Sequence, residues 1–186
     1  MDKKFNIQVH KKHYYKSYDD LMRFISYFYQ IDLTKRLKPR YILEIGVGNK
    51  TIANYLKQHG FNVITCDIDK NLEPDYVADI RKLPFKDSSY DTILAFEILE
   101  HLPWEDIDKI MLELCRITKK NVIISIPYSS TSFEFIFRFP LINKIFKKQF
   151  FNIFIRIPNF FRSIKFSGEH YWEMGKKNYS PKLIRT

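Results

Sequence analysis

From Pro39 to Pro127 the chain alternates short apolar runs with amphipathic stretches. The runs at 41–45, 62–66, 76–79, 91–96 and 121–126 have the length and content of buried strands. Between them, 50–59 and 104–117 carry helical spacing. In the second stretch Ile107, Ile110, Met111 and Leu114 share a face and Pro103 suits the first turn, while Gly60 stops the first. Strands alternating with helices predict a doubly wound, mostly parallel α/β sheet. Right-handed crossovers then bring Glu44, Asp67, Asp79, Phe96 and Glu97 to one edge, at the strand C-termini. Ahead of this core, 17–29 reads as a helix beside that edge, with Leu21, Ile25 and Phe28 on one face and capping-box spacing between Ser17 and Asp20.

The first strand ends in Glu44-Ile-Gly46-Val-Gly48, and the second ends in an acid, Asp67. Gly46 and Gly48 permit backbone angles and a close approach that a Cβ would forbid, so the strand mouth can receive a nucleoside edge-on. Asp67 offers two oxygens to a ribose diol. A dinucleotide site would need a further glycine feeding a helix N-terminus, but 48–51 read Gly-Asn-Lys-Thr, which disfavours an NAD-dependent reductase.

Residues 43–49, 65–69, 78–85 and 90–103, followed by Asn-Val-Ile-Ile-Ser-Ile-Pro at 121–127, resemble the class I S-adenosylmethionine-dependent methyltransferases, and within them the type 11 group. The resemblance covers about residues 40–127, in the group's order and spacing. It implies a Rossmann-like fold with strand order 3-2-1-4-5 and S-adenosylmethionine as cofactor. By the same resemblance Glu44 accepts from the cofactor's amino-acid end, Asp79 from the adenine amino group, Ile68 and Ile80 sandwich the ring, and Phe96 and Glu97 border the methionine part. Asp69 reads as a cap or a solvent carboxylate. Lys50 departs from the pattern; in a left-handed conformation it would cost on the order of 1 kcal/mol and its side chain would crowd the cofactor.

No catalytic residue is assigned, because methyl transfer is chiefly an alignment problem and needs a base only if the accepting atom carries a proton. His101, the one histidine inside the matched region, stands as a candidate base beside a structural role at a loop-to-helix turn. His10, His13, His59 and His170 lack companions at metal-ligand spacing, so no metal site is expected. Cys66 and Cys115 read as reduced core thiols.

Residues 131–166 differ in composition, holding eleven of the seventeen Phe, seven Lys or Arg and one acid, Glu134. The charge-free runs are too short to span a bilayer. This basic, Phe-rich insert suits peripheral membrane contact, a lid over an apolar substrate, or a cover for the sheet. The net charge of +10 favours an anionic partner. The expected organisation is one domain: a helical segment 1–39, a cofactor-binding core 40–127, the insert 128–167 and a tail 168–186. The tail resembles a segment that precedes a further helix and strand pair in the type 11 group, so the sheet is expected to lack its last two strands, with no antiparallel pair after 127, in a shortened protein. No leader or anchor is read at the start, and a cytoplasmic location, peripheral to membrane, is expected. The leading expectation is a methyltransferase acting on a small or lipid-like acceptor. The alternatives are a non-catalytic binding protein that keeps the fold, and a nucleic-acid methyltransferase supported by charge alone.

Overall fold

The computed structural model describes residues 9, 11–15, 18–128, 131–137, 151–157, 170–175 and 179. Where length suggests one domain, the chain divides into two compact units. One comprises Met1–Ile126 with Phe166–Trp172, the other Pro127–Lys165 with Glu173–Thr186. Among the described residues of the second unit, 131–137 and 151–157 of the Phe-rich insert pair with each other.

The first unit opens with a 3-10 turn, Lys11–Tyr15, followed by α1 (Leu21–Arg36), β1 (Tyr41–Ile45), α2 (Thr51–Gln58), β2 (Asn62–Asp67), β3 (Tyr76–Val77), β4 (Tyr90–Phe96), α3 (Ile107–Ile117) and β5 (Thr118–Ser125). The five strands are parallel, as the alternating pattern implies, in the order β3-β2-β1-β4-β5 that the resemblance implies. Central β1 and β4 are buried along almost their whole length because helices cover both faces. Ile42, Ile52, Ala53, Leu56, Val63, Leu94 and Ile123 close one side of this core. Asp91 ties the start of β1 to β4 by accepting from the backbone N–H groups of Arg40 and Tyr41, at 2.9 and 3.0 Å.

α1 departs from the expected register. Asp20, not Ser17, is the N-cap, its carboxylate accepting from Arg23 N at 2.8 Å, and the helix runs on to Arg36. Its buried residues are Tyr27, Gln30 and Thr34, whereas Leu21 and Met22 are 75% and 65% exposed. Polar residues can face inward here because each finds a partner: Gln30 Nε2 donates to Ser125 Oγ on β5 at 3.0 Å, and Thr34 Oγ1 donates to Gln30 O at 2.7 Å.

The expected absence of an antiparallel pair after residue 127 is corrected in the second unit, where β6 (Thr131–Phe137) and β7 (Phe151–Ile157) form a separate antiparallel sheet. The insert supplies the pair. Opposed residues alternate in character. Phe133 faces Ile155, Phe135 faces Ile153 and Phe137 faces Phe151 on one side; Ser132 faces Arg156 and Glu134 faces Phe154 on the other. Phe133, Phe135, Ile153 and Ile155 are each about half exposed. Arg156 lies over the Tyr128 ring at 4.1 Å, and Asn152 Nδ2 donates to Glu134 Oε1 at 3.1 Å.

Candidate functional site

A cavity open to solvent, about 870 Å3 of empty space when its open mouth is counted, lies at the C-terminal edge of the parallel sheet. Gly46 and Gly48 at the end of β1, Asp67 and Ile68 at the end of β2, Asp79 and Ile80 after β3, and Phe96 and Glu97 at the end of β4 all line it. Glycine is required at the β1 turn. Gly46 has φ +80°, and a Cβ there would overlap the Ile98 side chain. Gly48 has φ +48°, and its Cβ would meet the Tyr14 ring at 3.3 Å. Burial here therefore comes from close backbone approach.

Asp67 is buried and fixed by the chain it anchors: its Oδ2 accepts from Val47 N and its Oδ1 from Asp69 N, each at 2.8 Å. Burial pushes its carboxyl above the ordinary range, against the pull of those two amides. Each oxygen keeps a further lone pair for a hydroxyl donor. Asp69 is a cap, accepting from Asn71 N at 2.9 Å at the start of a 3-10 turn, and it too is buried and lines the cavity. For Asp79, burial alone would raise the carboxyl, yet the side-chain and backbone hydrogen bonds from Arg81 hold it below its ordinary value. Arg81 grips it through Nε and Nη2 at 2.6–3.0 Å while Nη1 reaches Asp106 at 3.0 Å, tying the loop after β3 to the approach to α3.

Glu44 does not line this cavity. It faces a smaller neighbouring one, with Tyr27, Gln30 and Asn49, and the two share Gly46, Gly48, Phe96 and Glu97. Its Oε2 is buried and has no hydrogen-bond partner among the described residues. Burial raises its pKa to about 8, only partly opposed by Lys57. Such a carboxyl is held neutral at pH 7 until a cation or donor arrives.

Lys50 is left-handed, φ 62° and ψ 15°, at the start of α2. The crowding expected of its side chain does not occur, because Nζ turns to the Glu73 carbonyl at 2.6 Å and Lys50 lines neither cavity. That hydrogen bond offsets part of the roughly 1 kcal/mol left-handed cost.

Sequence reasoning missed the N-terminal aromatics. Tyr14 and Tyr18 line the cavity, their rings edge to face at 5.1 Å, and Tyr14 packs against Gly48. Burial raises both phenols, so they act as neutral walls. Arg23 sits over the Tyr18 ring at 4.3 Å and helps hold it there. The aromatic spacing of 14 and 18 was the available signal. His101 also lines the cavity, and the structure brings His170, far away in the chain, into ring contact with it at 4.9 Å.

The fold is that of the class I S-adenosylmethionine-dependent methyltransferases. Residues 43–126 match the family model of the type 11 group, described as a methyltransferase domain, and that family's cofactor is S-adenosylmethionine. A ubiquinone biosynthesis O-methyltransferase of Rickettsia bellii is 29% identical over 97 residues, 45% of this chain and 40% of that one. An uncharacterised Methanocaldococcus jannaschii protein is 34% identical over 87 residues, 43% of this chain and 36% of that one. The chain thus matches less than half the length of these curated relatives. Among solved structures, a Pyrococcus horikoshii protein superposes with TM-score 0.51 at 21% identity, covering 60% of this chain and 61% of that one. The Burkholderia thailandensis 1,6-didemethyltoxoflavin-N1-methyltransferase, solved with its substrate and S-adenosylhomocysteine, does so with TM-score 0.52 at 14% identity, covering 63% and 59%.

The described side chains fit that cofactor. Asp67 suits the ribose diol, Ile68 and Ile80 the faces of a purine, and the unpartnered Glu44 carboxyl an aminium group.

Proposed function

We propose that this chain is an S-adenosylmethionine-dependent methyltransferase acting on a hydroxyl of a small or lipid-like acceptor. The observation that carries the reading is the convergence of Asp67, Gly46, Gly48, Ile68 and Ile80 in one cavity at the sheet's C-terminal edge. The cofactor supplies a methyl group made electrophilic by its sulfonium. The chain's contribution is alignment: Asp67 and the loop amides it fixes set the ribose, while Asp79, whose two oxygens already accept four hydrogen bonds from Arg81, would have to share one of them with the adenine amino group. Glu44 would hold the amino-acid end from the adjoining cavity. Such positioning can supply several kcal/mol of barrier reduction. His101 lines the cavity wall where an acceptor would enter.

Two observations favour a lipid-like acceptor over nucleic acid. The Rickettsia relative is by name an O-methyltransferase of ubiquinone biosynthesis. The β6–β7 hairpin has one face of Phe and Ile, within an insert rich in Lys and Arg, which suits an acyl boundary beneath anionic headgroups. Among the described residues no helix is long and apolar enough to cross a membrane, so the contact proposed is peripheral.

The test follows S-adenosylhomocysteine formation with a hydroxylated prenyl-quinol acceptor, beside sedimentation with anionic vesicles and a tRNA gel shift over a salt series. Turnover with vesicle binding is expected. Cofactor binding without turnover on any hydroxyl acceptor would favour the non-catalytic alternative, and tight, salt-sensitive RNA binding without vesicle binding would overturn the lipid-like acceptor.

Glu44 gives this reading a pH signature. Its pKa of about 8 means that below that pH a ligand's aminium group must displace a proton to gain the ion pair. Affinity for S-adenosylhomocysteine should therefore rise with pH toward 8, by up to about tenfold per unit, and level off above. Stability should move oppositely. A carboxyl raised in the folded state contributes most below its unfolded value, near 4.5, and that contribution is lost as pH rises toward 8. Calorimetry in buffers of different ionisation enthalpy should detect proton release on binding at pH 7. Glu44→Gln should abolish that release.

A further inference from the structure

A second set of ligating groups lies where the cavity wall meets the segment ending in Trp172. Glu100 and His101 fall in a 3-10 turn after β4, and His170 joins them so that one donor atom from each lies within 4.8 Å of the others. Glu100 is only 1% exposed, and a carboxylate so deeply buried is stabilised by a cation close at hand. The arrangement is held by the two residues that follow His170: Tyr171 N donates to Glu100 O at 2.8 Å, and Trp172 Nε1 donates to Leu102 O at 3.0 Å, which fixes them to the turn that carries Glu100 and His101. The Trp172 ring is fully buried and meets Trp104 edge to face at 4.9 Å.

We propose that Glu100, His101 and His170 bind one divalent first-row metal ion in the cavity wall, and that its open positions receive the acceptor's hydroxyl oxygen. Two imidazoles and one carboxylate suit Mn2+, Fe2+ or Zn2+ better than Mg2+ or Ca2+, which prefer oxygen ligands. Donors bound to a common ion at about 2.1 Å stand about 3.4 Å apart, which modest rotation of the imidazoles supplies. Three protein ligands leave the ion room for a further oxygen, and His101 already lines the cavity. A bound hydroxyl would lose its proton more readily and be fixed in orientation. The proton passes to solvent, the oxygen forms the new bond to the methyl carbon, and the electrons of the broken carbon–sulfur bond remain on sulfur. The acceptor half of this proposal rests on the methyltransferase reading; the metal half does not.

The test is Mn2+ binding to the full chain, followed by calorimetry and by electron paramagnetic resonance. One ion per chain is expected, with nitrogen couplings from directly bound imidazole. His170→Ala and Glu100→Gln should each weaken Mn2+ by at least about tenfold. Neither residue faces the proposed cofactor contacts, so S-adenosylhomocysteine affinity should stay within about twofold and report an intact fold. If a variant fails to fold, the nitrogen couplings of the wild-type ion decide. No stoichiometric Mn2+ or Zn2+ binding, bound Mn2+ without imidazole coupling, or undiminished binding in folded His170→Ala would each overturn the site. Metal binding with no binding of S-adenosylhomocysteine would instead overturn the methyltransferase reading and leave the metal site standing.

Discussion

Asp67→Ala is expected to weaken S-adenosylhomocysteine binding by about 1–3 kcal/mol, roughly five- to 150-fold, the range for losing hydrogen bonds to a charged group. Two losses combine. The alanine removes the acceptors proposed for the ribose hydroxyls, and it releases the Val47 and Asp69 amides that Asp67 now holds at 2.8 Å. The second loss loosens the Gly46–Gly48 turn itself, so the variant should bind worse than Asp67→Asn, which keeps one oxygen acceptor. Titration calorimetry on both variants checks this. Unchanged affinity in Asp67→Ala would remove this acid from the cofactor site.

Trp172→Ala should have the largest effect on stability, about 3–5 kcal/mol, as for other large aromatics cut from a packed interior. The indole is fully buried, donates to Leu102 O at 3.0 Å and packs edge to face on Trp104 at 4.9 Å. Its removal leaves a cavity and orphans a carbonyl. For a domain of this size the melting temperature should fall on the order of 10–20 °C. The loss should reach function too, because Trp172 fixes the segment carrying His170, and Mn2+ binding should weaken in any surviving folded fraction. Thermal unfolding followed by circular dichroism measures the first effect. A drop of less than about 1 kcal/mol would mean that this segment is not part of the first unit's core.

The parallel sheet was legible because apolar runs buried on both faces leave little choice of element. Strand order followed from the resemblance, and the chemistry-bearing strand ends from the acids and glycines that interrupt those runs. The register of α1 was not legible. Leu21 and Phe28 suggest one buried face, but Gln30 and Thr34 face inward because Ser125 and the helix's own backbone satisfy them, a tertiary fact absent from hydropathy. The β6–β7 hairpin was legible and overlooked. Phe133, Phe135 and Phe137 alternate with period two, and so do Phe151, Ile153, Ile155 and Ile157, but the overall richness in Phe and Lys masked that alternation. The meeting of His170 with Glu100 and His101 could not be read from spacing, since it depends on Trp172 finding its pocket beside Trp104. A left-handed Lys50 was entertained from the sequence only as a condition, which the structure meets, but the partner that diverts its side chain, the Glu73 carbonyl, belongs to another loop.

The central claim is that the cavity around Gly46, Gly48 and Asp67 is built for an S-adenosyl nucleoside. Calorimetric titration of the intact chain with S-adenosylhomocysteine, beside an identical titration with NAD, tests it most directly. One S-adenosylhomocysteine per chain, with affinity rising as pH approaches 8 and no heat from NAD, is the predicted result; saturable NAD binding, or no binding of S-adenosylhomocysteine by folded protein, would contradict it.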